Sequence, residues 1–472
     1  MTILGATSFT FSMILQPYMP VFYVSFLVTL ILTPMMRLLA HRHGIVDDPD
    51  GKRKVHTQPI AYLGGVSIFL GWLAGVSISV FLRPHNAEQI AQSYVQIPPG
   101  ILLGAAIIVL FGLMDDVYSL SPKIKLVGQL LAAMFLILPG AIHIGSDYFL
   151  GIGGGTGEGP SQSGAAWMFI MPLQHYGIFG SIGQMDPQMQ HWLILGASSF
   201  SCLFAVFVII AASNATNLLD GLDGLCSGVT GVMSVGYLIL AVYLAYKVIG
   251  TDGGSPLDPT RITLSLALLG AVMGFLPFNF NPASIFMGDT GSMFLGYICG
   301  TMMLLFAQNG TIRWFLSAII MFGLPMLDTF LAIVRRKLNG KPIFSPDSNH
   351  FHHFLIRRGL SVRQAVLLSY AVAAVFVSFA LVIVIVPTRM AIGLYLVLFG
   401  WIIVSAFKMG MIFQNATVVA SNNSINAAVM GTTVANNEPL HTADKPNLPP
   451  DSGALNGIDG PVPDAVKKRT FS

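Results

Sequence analysis

Residues 101–116 read ILLGAAIIVLFGLMDD, an uncharged apolar run that ends abruptly in two aspartates. Similar runs recur along the 472-residue chain, which is 54% hydrophobic and only 10% charged. A typical soluble domain carries about 25% charged residues. Runs of about 18 or more apolar residues are long enough to cross a hydrocarbon core about 30 Å thick. The composition therefore excludes a soluble or disordered protein, and an outer-membrane barrel would give a much weaker signal per segment.

The apolar runs predict an all-α, polytopic integral membrane protein of about 11 transmembrane helices. Each run must be a helix, because every backbone polar group in lipid needs an internal partner. The predicted spans cover residues 18–39, 61–82, 99–114, 123–144, 192–213, 224–248, 262–278, 290–308, 314–334, 365–387 and 390–407.

The basic residues predict the side of the membrane that each loop faces. If the loop after the first span is cytoplasmic, loops on that side hold fourteen Lys and Arg, the opposite loops hold five, and the tail holds five. This predicts an N-terminus outside and a C-terminus in the cytoplasm. We expect a membrane catalytic domain over 1–410, with an external Gly/Ser-rich loop at 145–191. A polar tail over 411–472 follows and is expected to lack a fold of its own.

Charge and cysteine content exclude other classes. The formal charge of +3, from 24 Lys and Arg against 21 Asp and Glu, is too balanced to predict nucleic-acid binding. Cys202, Cys226 and Cys299 lie in or beside apolar runs without metal-ligand spacing. We therefore predict neither a disulfide framework nor a cysteine zinc site.

Acidic residues stand at the ends of spans on the predicted cytoplasmic side. Asp115 and Asp116 end the third span, and adjacent carboxylates repel each other unless a cation or a metal-bound phosphate lies nearby. A solvated helix end is the alternative. Asp289, between glycines in FMGDTGS, is suited to hold Mg²⁺ together with substrate phosphates. A cap of the following helix is the alternative.

The segment SNATNLLDGLDGL carries a polar side chain at every third position. Asn214, Asn217, Asp220 and Asp223 would form one ridge on a helical segment. The glycine after each aspartate allows the backbone to approach a ligand closely. We interpret this segment as part of a ligand pocket.

The segment RRKLNGKPIFSPDSNHFHHFLIRRG combines histidines with arginines. Ser345-Pro346 predicts a helix start, which would place His350 and His353 on one face and His352 off it. Phosphate contact suits the basic flanks better than a zinc site does. A solvated amphipathic helix is the alternative.

Two further features concern charge. Lys54 and His56 lie in GKRKVHTQPIAYLGG and are suited to hold phosphates, although the positive-inside bias also explains the basic residues. Asp328 lies inside the ninth predicted span, where an ionisable group is costly and usually faces the bundle interior. We expect Asp328 to orient basic residues such as Arg335 at the end of this span.

Together these residues indicate an anionic ligand, a divalent cation, and Asp and His groups at the cytoplasmic surface. Phosphoryl transfer fits this set, because its catalysis is mostly positioning and charge neutralisation. A secondary transporter would place polar groups near the membrane midplane, often in repeated halves. A CDP-alcohol phosphotransferase would need Ala-Arg two residues after Asp223-Gly224, where this chain has Ser227-Gly228.

The chain resembles the polyprenyl-phosphate N-acetylhexosamine-1-phosphate transferase family over roughly residues 18–410. Five ordered motifs carry the resemblance: KVHTQPIAYLGG, MDD, NATNLLDGLDG, FMGDTGS and HFHH. One branch of the family transfers phospho-MurNAc-pentapeptide, and its members typically have three consecutive histidines and ten spans. The HFHH pattern and eleven predicted spans look like the other branch, which transfers GlcNAc-1-phosphate.

The resemblance implies a role for each matching residue. Asp289, with Asp115 and Asp116, would hold Mg²⁺, with Mn²⁺ as an alternative, and would act in catalysis together with His350, His352 and His353. Substrate contacts would come from Lys54, His56, Asn214, Asn217, Asp220, Asp223, Arg335 and Arg336.

The implied reaction transfers GlcNAc-1-phosphate from UDP-GlcNAc to undecaprenyl phosphate and releases UMP, as the first lipid-linked step of O-antigen, common antigen or teichoic acid synthesis. Phospho-MurNAc-pentapeptide transfer is the alternative activity. Direct attack and a two-step route through an aspartyl intermediate both stay open. The implied partners are the two substrates and the lipid bilayer, with a homodimer left open and no nucleic acid. The implied location is the bacterial cytoplasmic membrane, with the site on its cytoplasmic face.

Overall fold

A computed structural model describes residues 14–47, 59–81, 97–137, 186–249, 258–307, 312–338, 340, 342 and 350–408. All of these residues belong to one folded unit, Met1–Phe413. The polar tail predicted over 411–472 lies outside the described residues. So does the predicted external loop up to residue 185, whereas its last part, from Pro187 onward, is helical.

The described chain consists of helices and one short antiparallel strand pair, β1 (Val46–Asp47) with β2 (Ile60–Ala61). A 3₁₀ turn, Gln16–Tyr18, precedes the first helix. The helices are α1 (Met19–His43), α2 (Gly64–Ser79), α3 (Pro99–Tyr118), α4 (Pro122–Ile137), α5 (Pro187–Leu219), α6 (Leu225–Ile249), α7 (Asp258–Asn279), α8 (Gly288–Ala307), α9 (Ile312–Met321), α10 (Gly323–Leu338), α11 (Phe351–Arg357), α12 (Val362–Ile385) and α13 (Thr388–Lys408).

The all-α polytopic fold class is confirmed. Each of the eleven predicted apolar runs coincides with a helix or a helix pair. Seven helices within the described ranges are long and apolar enough to cross a membrane, or eight if the bent pair α9–α10 is one span. The count of eleven spans and the orientation of the chain stay predictions.

The ninth run, predicted as one continuous span over 314–334, is instead broken. Helices α9 and α10 meet at an angle of 74°. Pro325 explains the break, since proline has no backbone N–H and its ring clashes with the carbonyl four residues earlier, here that of Met321. Helix α10 therefore leaves the direction of α9 and carries Asp328 and the last basic turn with it.

Helix α8 forms the centre of the bundle. It packs against α2, α3, α5 and α9, and every residue of Gly288–Ala307 is buried except Asp289. A helix that is apolar on all sides belongs in the interior. Asp289 is thus the side chain that this central helix presents to open space at its first turn.

Small residues bring α3 and the start of α8 together. A Cβ added at Gly112 would lie 2.5 Å from Thr290 Cα and 2.8 Å from Thr290 N, so only glycine permits this approach. Asp115 and Asp116 follow Gly112 by one helical turn. The contact therefore places both aspartates beside the first turn of α8.

Candidate active site

Three aspartates from two distant parts of the chain meet at one end of the bundle. Asp115 and Asp116 lie in the last turn of α3, and Asp289 is the second residue of α8. One carboxylate oxygen from each residue lies within 4.8 Å of the other two. Across the described ranges this is the one group of three or more His, Cys, Asp or Glu side chains that converges in this way. The MDD and FMGDTGS motifs thus meet, as the sequence predicted.

Lys125, in the first turn of α4, supplies positive charge to this cluster. Its ammonium lies 2.6 Å from Asp115 Oδ2 and 2.5 Å from Asp289 Oδ2. The lysine side chain is 29% exposed and so remains accessible to solvent. A single ammonium is shared by two carboxylates, which shows that the space between them accepts a cation.

The sequence alone did not predict this role, because Lys125 is there one of several basic residues in a predicted cytoplasmic loop. The available signal was the position of the lysine. It lies ten residues after Asp115, at the start of the next apolar run. A short connection between two antiparallel helices brings such a residue back beside the end of the first helix.

Asp115 also ends its own helix. Its Oδ1 accepts a hydrogen bond from Leu120 N at 2.7 Å, and Ser119 adopts a left-handed conformation with φ of 52°. Both aspartates lie within the helix, since α3 continues through Tyr118. The two carboxylates therefore point in different directions, and they join one cluster because Lys125 and the start of α8 lie on either side.

Asp116 caps the start of α8. Its Oδ1 accepts from Asp289 N at 2.7 Å, and its Oδ2 accepts from Thr290 N at 3.1 Å and Thr290 Oγ1 at 2.5 Å. Gly288, with φ of +64°, is required here, since a Cβ would lie 2.5 Å from Asp116 Oδ2. A carboxylate at a helix N-terminus is stabilising. The cap considered as the alternative for Asp289 is thus provided by Asp116, and the Asp289 carboxylate contacts Lys125 and Asn217 instead.

Asn217, on the last full turn of α5, brings the third motif to the cluster. Its Nδ2 donates to Asp289 Oδ1 at 2.8 Å and to Ser292 Oγ at 3.0 Å. One turn earlier, Asn214 Nδ2 donates to Gln129 Oε1 in α4 at 2.8 Å. The predicted helical ridge is therefore correct only for the two asparagines, because α5 ends at Leu219 and the aspartates lie in the following loop.

Asp223 holds this loop to the segment before α8. Its Oδ2 accepts from Asn281 Nδ2 at 2.9 Å and from Ala283 N at 3.0 Å. On the other side of the loop, Gly224 N donates to Asn279 Oδ1 at 3.2 Å, and Tyr370 OH donates to Gly224 O at 2.5 Å. Asn279 and Tyr370 are positioning residues that the sequence analysis did not identify. A substrate contact by Asp223 stays a prediction.

Asp220 lies between α5 and α6 and keeps partial exposure. Removal from bulk water, followed by the negative charges of Asp289, Asp116 and Asp223, raises the pKa of its carboxyl to about 8. Like charges and desolvation both disfavour the ionised form. The loop is therefore part of the same electrostatic unit as the three-aspartate cluster, and Asp220 is mostly protonated at neutral pH.

Asp328 binds the start of the histidine helix. Its Oδ2 lies 2.9 Å from His350 Nδ1, and its Oδ1 accepts from Phe351 N at 2.7 Å. We expected Asp328 to orient the basic residues of its own span, but its hydrogen bonds go to His350 and Phe351. The histidine helix begins at Phe351, so the predicted arrangement of faces, which assumed a start at Ser345, is also wrong.

His352 faces the DGLDG loop. It is 1% exposed, and a Cβ added at Gly221 would lie 2.3 Å from its Nε2. Neither ring nitrogen has a hydrogen-bond partner among the described residues. Burial, and then the nearby His353, lower the pKa of His352 to about 3. His352 is therefore a neutral ring at physiological pH, packed against the loop that carries Asp220 and Asp223.

The remaining predicted residues fall into two groups. Arg335, which is buried, and Arg336, which is partly buried, lie in the last turn of α10. Lys54 and His56 lie outside the described residues. Phosphate contacts by these four side chains stay predictions.

The three-aspartate cluster suits a divalent metal ion. Hard cations take carboxylate oxygens as ligands, and Asp115, Asp116 and Asp289 offer three within 4.8 Å of one another. The position of the Lys125 ammonium shows independently that positive charge is stabilised there. The histidines form no comparable group among the described residues, so the alternative of a zinc site gains no support.

Comparison with known proteins shows the family of this chain. The family described as Glycosyl transferase family 4 matches residues 98–307, the segment that contains all three aspartates and Lys125. A probable undecaprenyl-phosphate N-acetylglucosaminyl 1-phosphate transferase from Bacillus subtilis is 32% identical over 363 residues, covering 77% of this chain and 84% of the relative. The chain belongs to glycosyl transferase family 4.

Other relatives extend the similarity. A decaprenyl-phosphate N-acetylglucosaminephosphotransferase from Mycobacterium tuberculosis is 31% identical over 360 residues, covering 73% of this chain and 77% of the relative. An undecaprenyl-phosphate alpha-N-acetylglucosaminyl 1-phosphate transferase from Salmonella typhi is 28% identical over 351 residues, with 74% and 79% covered. The resemblance identified from the five motifs is confirmed, and its GlcNAc branch is the one that these relatives represent.

Proposed function

We propose that this protein transfers GlcNAc-1-phosphate from UDP-GlcNAc to undecaprenyl phosphate, giving undecaprenyl-diphosphate-GlcNAc and UMP. The observation that carries the proposal is the meeting of Asp115, Asp116, Asp289 and Lys125 at one end of the bundle. The names of the relatives supply the substrates.

The metal ion that we propose for the aspartate cluster is Mg²⁺, with Mn²⁺ as an alternative. Mg²⁺ is usually bound through one or two carboxylates together with substrate phosphates. Asp289 and Asp115 are the carboxylates best suited, because one oxygen of each is paired only with the Lys125 ammonium, which a metal ion can replace. Both oxygens of Asp116 instead accept backbone hydrogen bonds from the start of α8. When bound, the metal would neutralise diphosphate charge and orient the leaving group.

The reaction that we propose is a direct displacement. A phosphate oxygen of the lipid attacks the β-phosphorus of UDP-GlcNAc, and a new P–O bond forms. The bond from that phosphorus to the bridging oxygen breaks, and the oxygen leaves with the electron pair on UMP. A phosphate monoester with a second pKa near 6 is mostly a dianion at neutral pH, so the attacking oxygen needs no strong base.

The protein side chains position and neutralise the reacting groups. Lys125 lies where its ammonium reaches both carboxylates, so that a modest rotation of its side chain brings it to an entering phosphate. Asn217 holds Asp289 in place through its amide. The carboxylate of Asp115 forms an ion pair with Lys125. This pairing makes Asp115 a weak nucleophile, which favours direct attack over an aspartyl intermediate.

We propose that the site faces the cytoplasm. The cluster joins the end of α3, the start of α4, the end of α5 and the start of α8, as expected for helices that cross a bilayer in alternating directions. Lys125 belongs to the set of loops that holds the excess of basic residues. The soluble nucleotide would enter from this side, and the lipid would arrive from the bilayer of the bacterial inner membrane.

Transfer by the purified protein is the direct test. The full chain in detergent is mixed with radiolabelled UDP-GlcNAc, undecaprenyl phosphate and MgCl₂, and the labelled lipid is extracted and counted. We expect a labelled product that requires the divalent cation and disappears with EDTA. Absence of labelled lipid under all conditions, with EDTA making no difference, would contradict the proposal. The alternative interpretation as a secondary transporter would then be favoured.

The donor sugar is tested by competition. UDP-GlcNAc, UDP-GalNAc and the UDP-MurNAc-pentapeptide are offered together, and the lipid products are separated by mass. We expect the GlcNAc product to predominate. Conversion of the pentapeptide nucleotide would assign the chain to the peptidoglycan branch instead.

A further inference from the structure

Asp328 is a buried carboxylate that two hydrogen-bond donors contact. It is 3% exposed and lies in α10, on the second half of the broken ninth span. Burying a charge is costly unless it is hydrogen-bonded. His350 Nδ1 lies 2.9 Å from one oxygen, and Phe351 N donates to the other at 2.7 Å. Each oxygen of Asp328 therefore has its own partner.

These two contacts fix the beginning of helix α11. His350 is the residue that precedes this helix, and its own side chain makes no capping hydrogen bond. The cap comes from Asp328, 22 residues earlier in the chain. Since a carboxylate only accepts hydrogen bonds, His350 must carry its proton on Nδ1. In the Nδ1–H tautomer, Nε2 is then a hydrogen-bond acceptor.

The orientation of α11 decides where the other histidines lie. The rings of His350 and His352 are nearly parallel, with centroids 5.7 Å apart, and the rings of His352 and His353 are 4.3 Å apart. His352 is packed against Gly221 so closely that a methyl group would not fit. The rings of His350 and His352 are therefore stacked, that of His353 is tilted against them by 48–49°, and the three form one histidine cluster between Asp328 and the loop that follows α5.

We propose that Asp328 is a positioning residue: it fixes the Nδ1–H tautomer of His350 and holds the histidine cluster against the Gly221 loop, which would line the nucleotide-sugar site of the proposed transfer reaction. This inference rests on the proposed transfer function for the identity of the pocket. Asp328 itself is too buried to contact substrate. Its effect on the reaction passes through His350 and helix α11.

The test is Asp328→Asn, which keeps the shape of the side chain but offers one acceptor oxygen to two donors. With the amide oxygen on Phe351 N, its NH₂ group faces His350 Nδ1. His350 can accept this hydrogen bond only by moving its proton to Nε2. We expect ¹⁵N NMR of histidine-labelled protein to show one histidine changing from the Nδ1–H to the Nε2–H tautomer.

The kinetic expectation follows from the same change. We expect kcat/KM for UDP-GlcNAc to fall by roughly 10- to 100-fold, the range seen when the carboxylate partner of a metal-binding histidine is removed. In a His350→Ala background, Asp328→Asn should add much less, because residues that act as a unit are not additive. Thr329→Val is the matched control, since its hydroxyl bonds only to Pro325 O within α10.

An unchanged histidine tautomer, or wild-type kcat/KM in Asp328→Asn, would overturn the inference. So would full additivity with His350→Ala. If Asp328→Asn does not fold, Asp328→Glu keeps the charge and displaces His350 by one methylene, and wild-type turnover in that variant would equally refute the proposal. The tautomer measurement needs no activity, so failure of the transfer function in the wild-type protein can be told apart from failure of this inference.

Discussion

Lys125 Nζ lies 2.5 Å from Asp289 Oδ2, although 164 residues separate the two in the chain. The same ammonium reaches Asp115 at 2.6 Å. Without it, carboxylates whose oxygens lie within 4.8 Å of one another would repel. Lys125 therefore stabilises the cluster in the way that a bound cation does.

Replacement of Lys125 by methionine should lower activity and make the fold more dependent on metal. The neutral side chain leaves the carboxylates uncompensated. The melting temperature in EDTA should fall below that of the wild type, and MgCl₂ should raise it by more than it raises the wild-type value. Thermal melts with and without MgCl₂ check this.

The matched control for that prediction is Lys123→Met. Lys123 lies two residues earlier and is exposed. This variant should behave like the wild type in both melts. An equal response to MgCl₂ in Lys125→Met and wild type would show that Lys125 and a metal do not share the cluster.

Asp289→Asn should abolish transfer while leaving the protein folded. The amide replaces one charged ligand of the three-aspartate cluster by a neutral side chain. The start of α8 keeps its cap, because Asp116 and not Asp289 provides it. We expect at least a 100-fold loss of kcat, a weaker response to Mn²⁺ in EPR titration and a melting temperature near that of the wild type. Near-normal turnover would move the metal to other residues.

Asp116→Asn, unlike Asp289→Asn, should clearly lower the stability of the folded protein. Asp116 accepts three hydrogen bonds from the first residues of α8. An asparagine has one acceptor oxygen, so that at least one buried donor is left without its partner, at a cost of about 1–3 kcal/mol. The comparison of Asp116→Asn with Asp289→Asn in the same melting assay is the measurement. Equal stability of the two variants would contradict the capping role.

Gly221→Ala should disturb the histidine cluster. The new methyl group would lie 2.3 Å from His352 Nε2, so the ring must shift. We expect a loss of at least 10-fold in kcat/KM for UDP-GlcNAc. Gly231→Ala is the control, because the nearest atom to its Cβ would be Val272 Cγ1 at 3.6 Å. Normal kinetics of Gly221→Ala would show that the contact between the two motifs is dispensable.

Stability should decrease below neutral pH through His352. Its pKa is about 3 in the folded protein and about 6.5 in an unfolded chain. Between these values the unfolded state binds more protons, so stability falls as the pH is lowered, by up to ~1.4 kcal/mol per pH unit for this group. Above about pH 6.5 the ring is neutral in both states, and its full contribution is present.

The measurement is the melting temperature from pH 7 to pH 5. The charged and titratable neighbours of His352 are His353, Asp328 and His350, and all three are kept. His352→Phe should lose less stability over this range than the wild type does. His43→Phe, at the exposed end of α1, should not change the slope. A wild-type slope in His352→Phe would exclude His352 as the source.

The local sequence predicted most of the helices and the meeting of two of the motifs. Apolar runs that are long enough to cross a bilayer can form only helices in lipid. Each predicted run accordingly contains a helix. The aspartates of MDD and FMGDTGS could be paired from topology alone, because loops on one side of a membrane can meet. The bend at Pro325 was missed, since proline is tolerated in some transmembrane helices and breaks others.

The role of each polar residue could not be read from the sequence. Asp115 and Asp116 are adjacent and chemically identical, yet one binds Lys125 and the other caps α8, because α4 and α8 approach from different directions. Asp328 looked like a partner for Arg335 two turns along its own helix, and it binds the start of α11 instead. A hydrogen bond depends on distances of a few tenths of an ångström between segments far apart in the chain, and those distances are set by the packing of glycine-lined helices.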